Sequence, residues 1–383
     1  MVPFKFSDYC SGMACSMLNR MLPRFSHHLQ NVWPATALAA LAAALATGIG
    51  AAPVLSEPSA APGLTRVELS DSVNLELRDW RALLEPGRAD AMPLVLLTGL
   101  GNTAAVYDDL APLLARRQPV VAITRRGFGG SSAPTTGYDV ATRVEDLRLA
   151  LDRLGLERVV LVGHSIAGDE LTAFAGRHPQ RVAGLVYLDA AINRYSPTGA
   201  DVEPECLQGV MAQSAARLPA ELMVQAPDGE RRPRSLAAIS QMFQLLGVPP
   251  RPATELAATN AWLPGGGIGP TASSERASKD LSEGTARYRP DYRALRMPLL
   301  ALFGTMPELN ISTLAPAERP GASACLQLFL DHKKRIGVED LRAQRPDATI
   351  EIWPDASHYL FLEHPQRTAD AIQRFVAALQ AAR

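Results

Sequence analysis

Short apolar runs alternate with segments of helical apolar spacing along the first half of the chain beyond residue 60. The runs predict buried strands at Thr65–Leu77, Pro93–Thr98, Val120–Thr124, Arg158–Val162 and Val182–Leu188. The spacing between them predicts helices at Tyr107–Arg116, Ala141–Leu154 and Ile166–Arg177. Strands that alternate with helices predict an α/β fold on a doubly wound, mostly parallel sheet, whose functional residues gather at the carboxyl ends of the strands.

The alternation breaks over residues 193–291, which are helix-like, irregular and rich in Pro and Arg. It then resumes with two strands and a final helix, at Leu299–Phe303, Thr349–Trp353 and Pro365–Ala381. The pattern therefore divides a catalytic core between residues 64–192 and 292–383. Because a long insertion at the carboxyl end of a strand usually covers a site, residues 193–291 are predicted to form a helical lid. The alternative is a purely structural excursion.

The N-terminal segment has the pattern of a targeting sequence. Residues 35–52 form an uncharged, alanine-rich stretch that ends in small residues. The preceding residues carry three basic side chains against one acidic one, Lys5, Arg20 and Arg24 against Asp8. This pattern predicts a signal peptide over residues 1–52 and export to the periplasm or the medium. The alternative is an uncleaved membrane anchor, since eighteen such residues lie at the lower edge of spanning length. Residues 53–63 are predicted to be a flexible linker.

Composition and charge exclude several classes of protein. The 383 residues include 38 Lys and Arg and 39 Asp and Glu, so the net charge of −1 argues against nucleic-acid binding. A hydrophobic content of 47% excludes a mostly disordered chain. None of the four cysteines forms a C-x-x-C pair. In an exported protein, Cys206 and Cys325 would form either one disulfide or two buried thiols, and the sequence leaves both open.

One turn carries candidate chemistry. The strand ending at Val162 runs into GHSIAG at residues 163–168 and then into a helix. A serine between small residues at such a turn is typical of a nucleophile elbow, which predicts Ser165 as the nucleophile. The backbone N–H of Ile166 would lie at the helix N-terminus and face the oxyanion of an acyl-transfer intermediate. The alternative is that Ser165 is the N-cap of an ordinary helix.

Because it has this turn between a strand and a helix, the chain resembles the α/β-hydrolase superfamily. The resemblance extends over both predicted halves of the core. LTGLGN at residues 97–102 follows a strand where the family has its oxyanion loop. Thr98 stands where the family usually has His. The resemblance implies that the backbone N–H of Leu100 is the second oxyanion donor.

A second stretch extends the resemblance. RRGFGGS at residues 125–131 looks like the family's D-x-R-G-x-G-x-S turn, with Thr124 in place of the Asp. In the elbow, Ala167 replaces the second Gly of the usual G-x-S-x-G. These departures are compatible with the fold, because they affect neither the nucleophile nor the backbone donors.

The general base is predicted by elimination among seven histidines. His27 and His28 lie in the leader, and His332 lies in a basic run, residues 332–335, predicted to be a solvated helix face. His164 is the neighbour of Ser165, but on a tight turn its side chain is expected to point away from the serine, and His178 and His364 lie at helix ends. His358 remains, and the resemblance implies the same residue, because the family's catalytic His follows the last strand and precedes an E-x-P like that at Glu363–Pro365.

For the acid that orients the base, the resemblance leaves two positions open. The family's usual slot after the penultimate strand holds Pro307, and Glu308 follows it. A second family solution places the acid after the preceding strand, at Asp189. Asp189 would otherwise be a structural cap at the end of the strand.

These features predict a serine hydrolase of the carboxylesterase or lipase type, which cleaves a neutral carboxylic ester through an acyl-enzyme. Such hydrolysis needs neither a metal nor an organic cofactor. The expected partner is a small-molecule substrate, with no nucleic acid. The alternative is a non-catalytic protein of this fold that binds a small ligand or partner, an idea supported by the departures from the family pattern at Thr98, Thr124, Ala167 and Pro307.

Overall fold

The computed structural model describes residues 61–88, 90–196, 206–307 and 309–381. The predicted leader and most of the predicted linker lie outside these residues, and so does Glu308. The predicted linker is too long by one residue at its end, since Gly63 already belongs to the first strand. Within the described residues, no helix combines the length and the apolar character needed to cross a bilayer.

Strands and helices alternate in the described residues as predicted. The strands are β1 Gly63–Ser70, β2 Val73–Asp79, β3 Leu94–Leu97, β4 Val120–Ile123, β5 Val159–His164, β6 Val182–Leu188, β7 Met223–Gln225, β8 Arg231–Pro233, β9 Ala261–Trp262, β10 Ile268–Gly269, β11 Leu299–Gly304 and β12 Thr349–Trp353. The helices are α1 Ala111–Ala115, α2 Val140–Arg153, α3 Ala167–Arg177, α4 Cys206–Ala216, α5 Leu236–Leu246, α6 Ala253–Thr259, α7 Ala272–Ala286, α8 Arg319–Lys334, α9 Asp340–Gln344, α10 Leu360–Glu363 and α11 Pro365–Ala381.

Eight strands form one sheet in the order β1-β2-β4-β3-β5-β6-β11-β12. The pairs β1·β2 and β2·β4 are antiparallel, and every other pair in this sheet is parallel. The predicted mostly parallel, doubly wound sheet is therefore confirmed. The parallel strands β5, β6, β11 and β12 lie side by side, so their carboxyl ends meet at one edge.

Two of the predicted elements are wrong in their bounds. The strand predicted at Thr65–Leu77 is a hairpin, because the polar pair Asp71–Ser72 reverses the chain between β1 and β2. The helix predicted at Tyr107–Arg116 is a single 3-10 turn followed by the short helix α1. Pro112 lies in the first turn of α1, where a proline is tolerated but from where it prevents a helix from extending further back.

The sheet has a hydrophobic core on each face. In β3, Val95 and Leu97 pack with α2 and α3 on one face, whereas Leu94 and Leu96 pack with α1 and α11 on the other. Successive side chains of a strand point to opposite faces of the sheet, and both faces are covered here. The central strands are therefore continuous apolar runs in the sequence.

Residues 206–291 form the helices α4–α7 and two small hairpins, β7–β8 and β9–β10. They share a third hydrophobic core with α8, and the disulfide between Cys206 and Cys325 joins α4 to α8 with Cα atoms 5.9 Å apart. The insertion is thus not purely helical. Its role as a lid stays a prediction.

Candidate active site

Ser165 lies in the turn between β5 and α3, as the sequence predicts. Its φ of 54° is in the left-handed region, which is rare for a residue with a side chain and typical of strained functional turns. Its N–H donates to the carbonyl oxygen of Leu188 at 3.2 Å, and its own carbonyl accepts from Gly168 at 3.0 Å. The helix begins at Ala167, one residue later than predicted, so Ile166 is its N-cap.

Gly168 allows this turn to fit against β6. A Cβ at this position would lie 1.9 Å from the carbonyl oxygen of Ala190, which is closer than non-bonded atoms approach. Helix α3 therefore contacts the loop after β6 directly. The family pattern predicts a small residue at 167, but the close approach occurs one residue later.

Asp189 and His358 meet at the edge of the sheet. Asp189 follows β6 with a φ of 49°, and its N–H donates to the carbonyl oxygen of Leu302 in β11 at 2.8 Å. Nδ1 of His358, in the loop after β12, lies 2.5 Å from Oδ2 of Asp189, and both side chains are buried. An ionised carboxylate only accepts hydrogen bonds, so Nδ1 carries the proton and Nε2 keeps its lone pair. Nε2 is buried and has no hydrogen-bond partner among the described residues.

Lys333, at the end of α8, contacts the same carboxylate. Its Nζ lies 2.5 Å from Oδ2 of Asp189 and donates to the carbonyl oxygen of Gly304 at 2.9 Å. The predicted solvated face at residues 332–335 is therefore wrong at Lys333, whose exposed fraction is 6%. Burial acts to raise the pKa of Asp189. The Lys333 ammonium and the hydrogen bond from His358 act against it and outweigh it, so this pKa lies below its ordinary value and the group is ionised.

His164 lies beneath the loop that carries His358. The two rings are 4.5 Å apart between centroids, and Nε2 of His164 lies 3.0 Å from the carbonyl oxygen of His358. Burial, followed by the neighbouring His358, lowers the pKa of His164 well below its ordinary value. His164 is therefore neutral and donates its Nε2–H to that carbonyl.

The two predicted oxyanion donors lie in segments that share one apolar cluster. The side chain of Leu100 packs against this cluster, which includes Ile166 and Phe128. Within the described residues, neither the Leu100 nor the Ile166 amide donates to a backbone carbonyl, so both N–H groups are available.

Arg125 fixes the loop that carries Leu100. Its guanidinium donates to the carbonyl oxygens of Thr98 at 2.5 Å and Gly99 at 3.2 Å, and it pairs with Glu170 of α3 at 2.5 Å. Arg125 and Glu170 are both buried. This link holds the loop after β3 in register with the helix that follows Ser165.

The insertion contacts the same loop through Glu255 of α6. Its carboxyl group accepts from Nδ2 of Asn102 at 2.9 Å, from the N–H of Thr103 at 3.1 Å and from the Thr103 hydroxyl. Burial raises the pKa of Glu255 to about 7.

Four of these side chains were missed as part of the site by reasoning from the sequence. Arg125 stands in the glycine-rich turn and His164 in the elbow itself, so both lie in segments that the sequence singles out. Glu255 and Lys333 reach the site from distant helices, and no local pattern marks them. The described ranges contain no group of three His, Cys, Asp or Glu side chains arranged to hold a metal ion.

Residues 92–220 match the family model for the alpha/beta hydrolase fold. The chain is 25% identical over 289 residues to a 2-(acetamidomethylene)succinate hydrolase of Mesorhizobium japonicum, covering 75% of this chain and 88% of that protein. It is 27% identical over 305 residues to the 1-acylglycerol-3-phosphate O-acyltransferase ABHD5 of Sus scrofa, covering 75% and 78%.

A solved structure of E-2-(acetamidomethylene)succinate hydrolase superposes with a TM-score of 0.54 at 21% identity, covering 82% of this chain and 98% of that one. At this identity the superposition speaks for the fold alone. The strand order of the sheet and the family match over residues 92–220 show that this chain has the α/β-hydrolase fold, and the hydrolase relatives agree with this fold.

Proposed function

We propose that this protein is a serine hydrolase of the carboxylesterase or lipase type, with Ser165 as nucleophile, His358 as base and Asp189 as the orienting acid. The observation that carries the proposal is the hydrogen bond between Nδ1 of His358 and Asp189, which leaves a buried Nε2 without a partner in the described residues. The loop of His358 is hydrogen-bonded to His164, the residue that precedes Ser165 on its strained turn. A buried imidazole nitrogen with a free lone pair on such a loop is suited to take a proton from the serine hydroxyl.

The proposed reaction forms and then hydrolyses an acyl-enzyme. Oγ of Ser165 attacks the ester carbonyl carbon while Nε2 of His358 takes the hydroxyl proton, and Asp189 stabilises the resulting imidazolium. The N–H groups of Leu100 and Ile166 stabilise the oxyanion. The imidazolium then protonates the departing alkoxide. Water, deprotonated by His358, attacks the acyl-enzyme and releases the carboxylic acid.

Between the two candidate acids, the geometry favours Asp189. Its carboxylate lies within hydrogen-bond distance of the base, and it is the residue that follows β6, next to β5 and Ser165. Glu308 lies outside the described residues, so no geometry supports it.

We further propose that the substrate is a neutral ester and that the insertion is the lid over the site. The near balance of charges, 38 basic against 39 acidic residues, favours a substrate without strong electrostatic demands. The contacts of Glu255 with Asn102 and Thr103 support the lid, because they bring α6 directly onto the loop that carries Leu100.

A fluorophosphonate probe tests the chemistry. Such a probe reacts with an activated serine, so we expect it to label the protein and to fail with Ser165→Ala. Absence of labelling in folded protein would favour the non-catalytic alternative.

A panel of p-nitrophenyl esters of increasing acyl length tests the substrate, and we expect the protein to hydrolyse them. It includes acyl groups with a free carboxylate, because one similar hydrolase is named for a substituted succinate. A preference for those acidic esters would contradict the neutral substrate.

Export is proposed from the leader pattern and is supported by the disulfide between Cys206 and Cys325, a feature typical of oxidising compartments. N-terminal sequencing of protein isolated from its natural source tests it. A mature chain that begins near residues 51–53 indicates cleavage, and an intact chain in the membrane fraction indicates an anchor.

A further inference from the structure

Lys333 makes a contact with the proposed acid that the usual Ser-His-Asp scheme does not need. Its ammonium lies 2.5 Å from Oδ2 of Asp189, the same oxygen that accepts from Nδ1 of His358. Both side chains are almost fully removed from solvent, and Oδ1 of Asp189 is buried with no hydrogen-bond partner among the described residues. The two donors therefore converge on one carboxylate oxygen.

A cation at this place changes what Asp189 does for His358. In the usual scheme, an uncompensated carboxylate stabilises the imidazolium that forms when the base takes the serine proton. Here Asp189 already has a positive partner before His358 is protonated. Protonation of His358 therefore introduces a second positive charge next to Lys333, where burial strengthens the repulsion.

Other charged and titratable groups lie near these residues, and they include an acidic one, since the Glu363 carboxylate accepts from the N–H of Ser357, beside His358, at 2.7 Å. His164 faces His358 from the end of β5 and is neutral. The Arg251 guanidinium lies 3.4 Å from the ring centroid of Tyr359, the neighbour of His358. The Arg194 guanidinium pairs with Asp169 of α3 at 3.2 Å. The negative charge that contacts His358 is thus that of Asp189, and Lys333 shares it.

The position of Lys333 next to Asp189 depends on where α8 ends. Lys333 is the penultimate residue of α8, and a π-helical turn at Arg335–Glu339 follows directly. Such turns are rare and often lie at functional sites. The carbonyl oxygen of Gly304, at the end of β11, is the second acceptor for its ammonium.

We propose that Lys333 is a positioning residue of the active site, whose ammonium holds the Asp189 carboxylate charged and in place against Nδ1 of His358 and opposes a second positive charge there. This inference rests on the proposed serine hydrolase function.

The experiment measures the rate of fluorophosphonate labelling of the full-length protein as a function of pH, which reports on the base without a substrate. Lys333→Met removes the charge and the hydrogen bonds, and Lys333→Gln removes the charge but keeps a donor. Lys333→Arg keeps the charge. Lys334→Met is the matched control, since Lys334 is the next residue and its side chain is exposed.

We expect the acidic limb of the rate profile to move up by about one pH unit or more in Lys333→Met and Lys333→Gln. The limb should stay in place in Lys333→Arg and Lys334→Met. The thermal unfolding temperature is measured alongside, because a merely structural Lys333 would lower it without moving the limb. An unmoved limb in folded Lys333→Met or Lys333→Gln overturns the proposal.

No labelling of the unaltered protein at any pH would instead overturn the proposed hydrolase function itself, so the two failures are distinguishable.

Discussion

His164 supports the loop of His358 from below, with its Nε2 3.0 Å from the carbonyl oxygen of the later residue. The two residues are 194 positions apart in the chain, yet their rings are 4.5 Å apart between centroids. Because His164 directly precedes Ser165, this hydrogen bond ties the turn of the proposed nucleophile to the loop of the proposed base. In the proposed mechanism, the spacing of these two residues therefore depends on a neutral, buried imidazole.

His164→Phe keeps a ring in this place but removes the donor. We expect kcat/KM to fall about tenfold, the equivalent of one buried hydrogen bond of roughly 1.4 kcal/mol, with little change in KM. Steady-state kinetics on a p-nitrophenyl ester checks this. His178→Phe at the end of α3 is the control, because His178 is only partly buried and makes no contact with His358. Unchanged kinetics in folded His164→Phe would contradict the supporting role.

The pair of Asp189 and Lys333 should be strongly coupled in stability. Asp189→Asn leaves the Lys333 ammonium buried without a carboxylate, which should cost about 3–5 kcal/mol of unfolding free energy. Lys333→Met in turn leaves the Asp189 carboxylate buried without the Lys333 ammonium. Adding Lys333→Met to Asp189→Asn should therefore restore part of the lost stability, because no buried charge then lacks its partner.

Activity measurements on Asp189→Asn, Lys333→Met and the double variant distinguish the stabilising role of the pair from the catalytic role proposed for Asp189. Asp189→Asn should lower kcat by about 10⁴-fold, since an amide no longer fixes the tautomer of His358, and the double variant should stay as slow. Urea unfolding and ester hydrolysis together complete the double-mutant cycle. Additive losses of stability would mean that the two side chains do not interact in solution.

The sequence predicts the fold and the turn of Ser165 well because both follow from local patterns. Buried parallel strands appear as apolar runs, and the elbow is a short motif between a strand and a helix. Its strain also depends on local residues, as the close approach at Gly168 illustrates. The hairpin of β1 and β2 is the exception, since an apolar alternation continues across the Asp71–Ser72 turn.

The electrostatic partners of the site are harder to predict, because they depend on how distant elements pack. Lys333 lies in a basic run that is indistinguishable from a solvated helix face until α8 is placed against β11. Glu255 lies in an insertion without readable periodicity. The ambiguity between Asp189 and Glu308 has the same origin, because each follows a strand and only the position of His358 favours one of them.

The disulfide between Cys206 and Cys325 should stabilise the insertion. It closes a loop across 119 residues and lies in the hydrophobic core that α4 and α8 share. Replacing both cysteines by serine should lower the unfolding free energy by about 2–4 kcal/mol, measured by urea unfolding. Chemical reduction of the unaltered protein should give the same loss. A reductant that leaves its stability unchanged would show that the two thiols are not joined.

Glu255 should make stability depend on pH in a defined direction. Its pKa of about 7 in the folded protein lies above its ordinary value of 4.5, so the folded state holds this proton more tightly than the unfolded state. The stabilising contribution is fully present below about pH 4.5. It decreases as the pH rises and is lost above about pH 7, because the buried carboxylate must then ionise.

Glu255→Gln imitates the protonated form and keeps an acceptor for Asn102 and Thr103. Its unfolding free energy relative to the unaltered protein should therefore rise by on the order of 1–3 kcal/mol between about pH 5 and about pH 8. Urea unfolding of both proteins at the two pH values measures this difference. Glu221→Gln is the control, because Glu221 lies in the same insertion but is exposed. A constant difference for Glu255→Gln would mean that Asn102 and Thr103 stabilise the carboxylate fully, and that this contact between the insertion and the loop after β3 does not respond to pH.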